Sequence, residues 1–285
     1  MIVTRSKAEL HDALRPPRQV GRTIGLVPTM GCLHEGHLSL LSAARRRCDI
    51  VVMSLFVNPT QFGSNEDLAS YPRDEARDLD LAHGAGVDIV YTPPVEEVYP
   101  EGFATNVEVG GRLTDVLDGS PESRGPDHFR GVTTVVAKLF NTVGPDIAFF
   151  GRKDAQQAVV IRRMVRDLDF PVEIEVLPTV RESDGLAMSS RNAYLTPRDR
   201  ERAVALSRAL RAAQAVAEAG ETQTAPALEA ARAELERAGI EPEYLEARDA
   251  ENLAPVERLN GRPVLIAVAA RVGAARLIDN TLIGG

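Results

Sequence analysis

Short apolar runs alternate with amphipathic segments through residues 1–180 of the chain. The apolar runs predict buried strands at residues 24–27, 50–57, 87–91, 147–150 and 172–177. The segments between them carry apolar residues at helical spacing and predict helices at residues 6–14, 36–47, 75–83, 132–143 and 155–168. Because strands and helices alternate, the pattern predicts βαβ units and an α/β fold, a parallel sheet with helices on both faces.

The first predicted helix carries a signal at each of its ends. Ser6, followed three residues later by Glu9, is a capping-box pattern. Pro16-Pro17 follows this segment. Because proline lacks the amide that a helix interior needs, we expect the helix to end before these two residues.

The pattern changes after Pro178. Ala-rich amphipathic segments predict helices at 197–219 and 225–238, and short apolar runs predict strands at 244–247, 264–268 and 276–278. Helices followed by strands are typical of an α+β unit. We therefore expect two domains, a larger one at 1–180 and a smaller α+β one at 181–285.

Composition limits the classes of function. Of the 285 residues, 44% are hydrophobic and 26% are charged, which is ample for a core. The 33 Lys and Arg against 41 Asp and Glu give a net charge of −8, which argues against a nucleic-acid partner. The two cysteines have neither metal-type nor disulfide spacing, and no apolar run reaches membrane-spanning length. We therefore expect a cytoplasmic protein with no membrane partner.

Polar clusters follow four of the predicted strands. They are VPTMG at 27–31, NPTQ at 58–61, GRKD at 151–154 and the segment 178–191. Open α/β sheets bind ligands at the carboxyl ends of their strands, so we expect these loops to share one edge. Together they carry imidazoles, a lysine, an arginine, amides and hydroxyls, which suits a polyanion and a polar acid.

His34 and His37 are the first candidates for chemistry. They lie at the predicted start of a helix, where backbone amides and the helix dipole favour an anion. Gly36 between them lets a ligand approach the backbone closely. The same spacing is compatible with a helix cap carrying two surface histidines, or with a metal site that lacks a third ligand nearby. The spacing alone leaves these three interpretations open.

The later loops are open to two interpretations each. Lys153 can place a point charge on phosphate oxygens, or it can belong to a solvated turn in which Asp154 caps the next helix. Ser189, Ser190 and Arg191 can close over a triphosphate, or they can form a polar connection between two domains.

Two glutamines lie beside these loops. Gln61 and Gln157 suit a substrate with hydroxyl and carboxylate groups, although an exposed glutamine needs no such explanation. The chain has no Walker A, G-x-G-x-x-G or G-x-S-x-G pattern. This argues against a P-loop NTPase, a dinucleotide dehydrogenase and a serine hydrolase.

Seven ordered blocks together resemble the pantothenate synthetase (pantoate–β-alanine ligase) family of the HIGH-motif nucleotidyltransferase superfamily. The blocks are VPTMGCLHEGH (27–37), SLFVNPTQF (54–62), YPR (71–73), HFRGV (128–132), GRKDAQQ (151–157), PTVRESDGLAMSSRN (178–192) and AARVGAARLIDN (269–280). They run almost from end to end. The resemblance implies a Rossmann-like parallel sheet, a smaller C-terminal α+β domain and a homodimer.

The resemblance also implies an ATP- and Mg²⁺-dependent reaction. Pantoate attacks the α-phosphate of ATP to give pantoyl adenylate and pyrophosphate, and β-alanine then displaces AMP to form pantothenate. Activation is needed because a free carboxylate is a poor acyl donor. The protein supplies positioning and charge neutralisation. Residues 1–180 would bind ATP and pantoate, and residues 181–285 would close over them as a lid.

Roles for individual residues follow from the resemblance, position by position. The expected catalytic residues are His37, His34, Lys153, Ser189, Ser190 and Arg191, with His37 the most important. The expected contacts to ATP are these residues together with Met30, Gly36, Gly151, Asp154, Val180 and Met188. The expected contacts to pantoate are Pro28, Thr29, Met30, Asn58, Gln61 and Gln157.

The chain departs from the family pattern at several positions. Cys32 stands for Ala, Arg152 for Glu and Ala155 for Tyr. The arginine that precedes the HFxG histidine in the family would fall on Gly125, whereas the nearest arginine here is Arg124.

Asp78 matches an acidic position in the region of the family's metal site and is the expected metal ligand. The ion would otherwise rest on ATP oxygens and water. Among the alternatives, Gln61 and Gln157 argue against a nucleotidyltransferase that stops at nucleotide transfer. The intact histidines, Lys153 and Arg191 argue against an inactive nucleotide-binding regulator, and the net charge argues against a tRNA-binding relative.

Overall fold

The computed structural model describes residues 1–63 and 66–284. The strands of these residues are β1 (Ile2–Thr4), β2 (Ile24–Thr29), β3 (Ile50–Leu55), β4 (Ile89–Tyr91), β5 (Ile147–Gly151), β6 (Glu173–Leu177), β7 (Pro242–Asp249), β8 (Val264–Val272) and β9 (Ala275–Ile283). The helices are α1 (Lys7–Gln19), α2 (Glu35–Arg47), α3 (Glu75–Gly84), α4 (Val95–Val98), α5 (Pro126–Val143), α6 (Ala155–Asp167), α7 (Pro197–Glu218) and α8 (Thr224–Arg237). No helix of the described part is both long and apolar enough to span a membrane.

Six strands form a parallel sheet in the order β1-β4-β3-β2-β5-β6. From β2 the chain moves outward through β3 and β4, and it then adds β5 and β6 on the other side of β2. The direction of winding therefore reverses between β2 and β5. Open α/β sheets bind their ligands at such a switch point. The predicted α/β sheet and the smaller C-terminal α+β part are both confirmed.

Helices cover both faces of this sheet, as predicted. Leu26 and Val52 face a layer formed by α1, α5 and α6. Val27 and Met53, their neighbours along each strand, face α2 and α3. Successive residues of a strand point to opposite faces, which explains why the central strands β2, β3 and β5 are mostly apolar.

Pro28 lies where β2 separates from β5. β2 pairs with β3 as far as Thr29, but it pairs with β5 only at Gly25 and Leu26. Proline has no amide hydrogen to give to a ladder, and the β2–β5 ladder ends before it. The segment that carries the first candidate residues therefore begins at the switch point.

The prediction that Pro16-Pro17 ends the first helix is wrong. α1 contains both prolines and begins with the predicted capping box at Ser6. Leu10 and Leu14 are fully buried on the turns before the prolines. This packing holds the helix on the sheet, and its free energy outweighs the cost of the backbone hydrogen bonds that the two prolines cannot donate.

By its contacts the chain divides into two compact units. Unit 1 comprises Met1–Val109, Arg124–Gly151 and Val160–Pro178, and unit 2 comprises Gly110–Ser123, Arg152–Val159 and Thr179–Gly285. Unit 2 thus includes 110–123 and 152–159, two stretches that precede the expected domain boundary.

Unit 2 is built on the antiparallel sheet β7-β8-β9. The helices α7 and α8 pack against one face of this sheet. On the other face, Leu117 and Val159 from the two earlier stretches pack with Leu265 and Ala267 of β8. The earlier stretches therefore contribute to the core of unit 2.

Candidate functional site

The first candidate loop of unit 1 leads from β2 into α2. His34 is the N-cap of α2, and its Nδ1 accepts the N–H of Gly36 at 3.1 Å. The Nδ1 of His37 accepts the N–H of His34 at 3.3 Å, and the two ring centroids are 4.1 Å apart. An imidazole nitrogen that accepts a hydrogen bond carries no proton, so each neutral ring carries its proton on Nε2.

This geometry confirms the helix-cap interpretation of the two histidines. It is also compatible with phosphate binding, because an Nε2–H at a helix N-terminus can donate to an anion. A metal site finds no support: the described residues contain no group of three or more His, Cys, Asp or Glu side chains that could hold an ion.

Asp78 braces the same loop from α3. Its carboxylate accepts the N–H of Cys32 at 2.8 Å and the N–H of Leu33 at 2.7 Å, one on each oxygen. Arg77 donates to the carbonyl of Leu33 at 3.0 Å. The Asp78 side chain is 1% exposed, and the backbone that it holds includes Cys32 at a φ of +51°. Both oxygens of Asp78 are therefore engaged in fixing the residues just before His34.

The corner at the end of β2 is fixed to the neighbouring strand. The hydroxyl of Thr29 donates to the carbonyl of Ser54 at 2.9 Å and accepts the N–H of Gly31 at 3.3 Å. Gly31 has a φ of +91°, and a Cβ there would lie 2.9 Å from Asp78 Oδ2. Thr29 is buried, and its expected contact with pantoate would compete with these bonds. Met30 is half-buried beside it.

The second candidate loop of unit 1 follows β3. Asn58 is 1% exposed, and its Nδ2 donates to Gln61 Oε1 and to the carbonyl of Gly131, both at 3.1 Å. Its Oδ1 accepts the hydroxyls of Thr60 at 2.9 Å and Tyr99 at 2.8 Å. Burial raises the pKa of Tyr99, which keeps its hydroxyl a donor. Asn58 thus orients Gln61, and with Oε1 held the Gln61 amide has Nε2–H groups for a ligand.

A histidine and an arginine fix the backbone of the same loop. Arg124 Nη1 lies 3.0 Å from His128 Nε2, and His128 Nδ1 lies 2.8 Å from the carbonyl oxygen of Gln61. A guanidinium can only donate, so His128 Nε2 accepts and Nδ1–H donates to Gln61. Arg124 also contacts that carbonyl and forms a two-pronged ion pair with Glu66. Sequence reasoning gave Arg124 no role.

Gly125 explains why the arginine stands one position early. Its backbone has φ +79° and ψ 167°, a combination that side chains avoid. An arginine at 125 would be strained, whereas Arg124 reaches the loop from an ordinary position. Gly131 meets a different constraint, since a Cβ there would lie 2.3 Å from the carbonyl oxygen of Thr60. Pro59–Gln61 form a 3₁₀ turn, the Gln61 turn, and the helix α5 can approach it only without that side chain.

The Lys153 turn belongs to unit 2 and joins β5 to α6. Residues Arg152–Asp154 form a 3₁₀ turn, and Lys153 Nζ lies 3.8 Å from Asp154 Oδ1. Asn280 of β9 donates to the carbonyls of Arg152 and Lys153, both at 2.9 Å. The solvated-turn interpretation is too simple, because the backbone of the turn is anchored to a distant strand.

The two glutamines after this turn differ. Gln156 is 6% exposed and bonds to the carbonyls of Leu113 and Val116 and to the N–H of Asp118. Its amide is therefore structural. Gln157, the residue expected to bind pantoate, is half-buried.

The segment expected to close over a triphosphate begins as a small hairpin of unit 2. Met188 N–H donates to the carbonyl of Val180 at 3.0 Å, and Arg181 pairs with Ala187. Ser189 then caps a 3₁₀ helix at Ser190–Tyr194, its Oγ accepting the N–H of Arg191 at 3.3 Å. The segment has regular hydrogen bonding and is more than a polar connection.

The expected site residues divide between the two units. Unit 1 carries Pro28, Thr29, Met30, His34, Gly36, His37, Asn58, Gln61, Asp78 and Gly151, and unit 2 carries Lys153, Asp154, Gln157, Val180, Met188, Ser189, Ser190 and Arg191. Within unit 1 the structure joins Asn58 to Gln61 and Asp78 to the loop before His34. A polar side chain within a strand, such as Asn280 in β9, is the signal that could have revealed the residues that anchor these loops.

Comparison with known proteins gives a consistent family. A model of the Pantoate-beta-alanine ligase family matches residues 2–282. Pantothenate synthetase of Moorella thermoacetica is 55% identical over 284 residues, which cover 99% of each chain. The crystal structure of pantothenate synthetase from Thermus thermophilus has a TM-score of 0.92 at 50% identity, over 99% of each chain. The pantoate-beta-alanine ligase of Francisella tularensis, complexed with beta-gamma ATP and β-alanine, has a TM-score of 0.82 at 33% identity, over 99% of this chain and 97% of that one.

Proposed function

The chain belongs to the pantoate-beta-alanine ligase family and joins pantoate to β-alanine at the expense of ATP, and we propose that it does so through a pantoyl adenylate. In the first step a pantoate carboxylate oxygen bonds to the α-phosphorus, and pyrophosphate leaves. In the second step the β-alanine amine attacks the acyl carbon, loses a proton and displaces AMP. The carboxylate is activated because AMP leaves far more readily than hydroxide or oxide.

The histidines are assigned to the first step. Their Nε2–H groups donate to ATP phosphate oxygens, where negative charge moves toward the leaving pyrophosphate. The observation that carries this assignment is the pair of Nδ1 acceptor bonds, which fixes the donor nitrogen of both His34 and His37. Gly36 lets the phosphate approach the backbone, and Met30 lies at the corner between the nucleotide and pantoate.

Gln61 is assigned to pantoate. With Oε1 held by Asn58 and its carbonyl held by His128, Gln61 has a fixed amide orientation and donates from Nε2 to the pantoate carboxylate or hydroxyl. Gln157 binds the other polar groups of pantoate. In this proposal Asn58 and Thr29 act by positioning, because their polar atoms are used within unit 1, and Pro28 shapes the pocket wall.

The cations of unit 2 are assigned to the triphosphate. Lys153 neutralises phosphate charge, and Ser189, Ser190 and Arg191 hold the β- and γ-phosphates. Gly151, Asp154, Val180 and Met188 line the nucleotide, with Asp154 at the ribose. Two positive charges and two hydroxyls suit a polyanion that changes its charge distribution during reaction.

Mg²⁺ enters this proposal as part of the ATP substrate. When bound to ATP it neutralises phosphate charge, and its preferred ligands are oxygens and water. The described residues do not fit a protein-held ion: both oxygens of Asp78 accept backbone N–H groups, and these residues contain no cluster of three metal-binding side chains. No step is assigned to Asp78 through the metal.

The domain roles, the assembly and the location also stay predictions. Residues 1–180 would bind ATP and pantoate, and 181–285 would close over the adenylate and keep out water that would hydrolyse it. The homodimer follows from the resemblance, and light scattering after gel filtration tests it. The cytoplasmic location is tested by cell fractionation.

One experiment tests the reaction and separates it from its rival. Labelled pyrophosphate should exchange into ATP when pantoate is present and β-alanine is absent, and β-alanine should then release AMP. A lack of pantoate-dependent exchange would contradict the adenylate. Exchange without β-alanine-dependent release of AMP would favour a nucleotidyltransferase that stops at nucleotide transfer.

A further inference from the structure

Two adjacent residues of β9 hold the two segments of unit 2 that are assigned to the triphosphate, the Lys153 turn and the hairpin that leads to Ser189–Arg191. They are Asp279 and Asn280, which are 3% and 5% exposed. Asn280 lies 127 residues from Lys153 along the chain, and Asp279 lies 98 residues from Arg181. Consecutive residues of a strand point to opposite faces of the sheet, so the pair can reach two different loops at once.

Asn280 anchors the Lys153 turn. The two hydrogens of its amide group go to the carbonyls of Arg152 and Lys153, each at 2.9 Å. Its Oδ1 is buried and accepts no hydrogen bond within the described chain. The residue therefore acts on the turn through its two donors. Fixing both carbonyls fixes the backbone from which the Lys153 side chain projects.

Asp279 anchors the hairpin that leads to Ser189. It accepts two hydrogen bonds from Arg181, at 2.6 and 2.9 Å, in a bidentate ion pair. Arg181 also donates to the carbonyl of Gly185 at 3.2 Å, which ties the pair to the turn of the hairpin. Asp279 accepts the N–H of Asn280 at 2.8 Å, so the two anchors are joined to each other.

We infer that Asp279 and Asn280 are positioning residues that hold the Lys153 turn and the Ser189–Arg191 segment in one fixed arrangement. Neither residue is assigned a contact with substrate. The inference rests on the proposed function, which places both loops on the phosphates of one ATP. A displacement of about 1 Å in either loop would misplace its charge and cost roughly 100-fold in rate.

The test is a double-mutant cycle in the pyrophosphate-exchange assay. Asn280→Asp keeps the shape of the side chain but replaces both donors by an acceptor that faces two carbonyls. We expect pyrophosphate exchange to fall roughly 10- to 100-fold, a loss of the size typical of residues that orient a metal ligand from the outer shell. The loss should appear in kcat and in the KM for ATP, while the KM for pantoate stays within about twofold. In a Lys153→Ala background the same substitution should change exchange by less than about twofold, since Asn280 acts through Lys153.

Asp279 is tested in the same way. Asp279→Asn keeps one acceptor but loses the charge that pairs with Arg181, and its effect should largely disappear in an Arg191→Ala background. The control is Thr281→Val, a near-isosteric change at the next position of β9, which should exchange pyrophosphate as the unmodified protein does. Circular dichroism and the melting temperature report on folding. Should Asn280→Asp fail to fold, Asn280→Ser retains one donor and should show an intermediate loss.

The outcomes separate the inference from the proposed function. Unimpaired exchange by Asn280→Asp, or losses that multiply fully with Lys153→Ala, would overturn the inference alone. An unmodified protein that shows no exchange would overturn the proposed function instead. In that case calorimetry would compare the affinity of the unmodified protein for ATP with that of Asn280→Asp. Equal affinities would overturn the inference that Asn280 positions the Lys153 turn.

Discussion

The two units hold their candidate residues in different ways. In unit 1, the side chains of His34 and His37 together cap the N-terminus of α2. Asn58 holds the side chain of Gln61, which lies three residues later. In unit 2, Lys153 stands on a 3₁₀ turn whose backbone is held by Asn280, 127 residues away. Local caps can be recognised from spacing, whereas long-range anchors depend on the fold. This difference explains why the caps of the first set can be recognised from residue spacing, whereas the anchor of the Lys153 turn cannot.

The largest expected effect tests the local arrangement. His37→Ala removes a phosphate donor and one half of the cap, and losing one donor to a developing charge costs about 10²–10³ in rate. We expect pantoate-dependent exchange to fall by at least this factor while circular dichroism shows an intact fold. His83→Ala, on the exposed face of α3, is the matched control. A fully active His37→Ala protein would contradict the assignment of both histidines.

The second effect concerns Asp78, which supports the loop before the helix cap. Asp78→Asn turns one acceptor into a donor that faces a backbone N–H, and a buried unpaired donor costs about 1–3 kcal/mol. We expect the free energy of unfolding, measured in urea, to fall by that amount. Pyrophosphate exchange should be slower, while its dependence on the Mg²⁺ concentration stays unchanged.

Its control is Asp80→Asn, an exposed neighbour on the same helix. Binding of Mn²⁺ to the free protein, followed by electron paramagnetic resonance, gives a measurement independent of activity. A Mn²⁺ affinity that is lost in Asp78→Asn alone would show that Asp78 is a metal ligand after all.

A smaller effect is expected where α5 touches the Gln61 turn. Gly131→Ala would place a Cβ 2.7 Å from the backbone nitrogen of Gln61, so the Gln61 turn must shift. Overpacking of this kind costs about 1–3 kcal/mol, and we expect a higher KM for pantoate with little change in the KM for ATP. Gly84→Ala has open space around its Cβ and should be neutral or slightly stabilising. If Gly131→Ala and Gly84→Ala had the same KM for pantoate, Gly131 would have no part in positioning Gln61.

The smallest effect concerns the two cysteines. Burial raises the pKa of the Cys48 thiol to about 11, so at pH 8 it stays protonated and unreactive. Cys32 is half-buried in the loop before His34. We expect a maleimide to label Cys32 and not Cys48 at pH 8, and ATP to slow the labelling, as measured by mass spectrometry. Labelling of Cys32 at the same rate with and without ATP would argue that ATP does not cover this loop.

Much of the fold followed from the spacing of apolar residues. The central strands β2, β3 and β5 of the parallel sheet are mostly apolar on both faces, so each can be recognised in the sequence without its neighbours. The strand β1 was missed because it has only three residues, of which Ile2 and Val3 are exposed. The helix α1 was shortened in prediction because the cost of two prolines is local, while the packing of Leu10 and Leu14 that offsets it is tertiary.

The candidate site followed a similar division. Histidine spacing, strand ends and the resemblance identified the residues expected to contact ATP and pantoate. The roles of Arg124, His128 and Asp279 could not be read in the same way, since each acts through a hydrogen bond to a backbone or side chain far along the chain. Asp78 shows the limit most clearly: an acidic residue near a metal-site motif has both of its oxygens bonded to amides.

The family, the order of the longer strands and helices, and the chemical types available at the strand ends could all be predicted from the sequence; the short elements β1 and α4 could not. The predicted features depend on periodicity and short motifs, which are properties of neighbouring residues. The fold was needed to show that β9 anchors the Lys153 turn and that His128 holds the carbonyl of Gln61. The reason is physical: a hydrogen bond has a range of about 3 Å and a direction, and only the folded chain brings the two partners within that range.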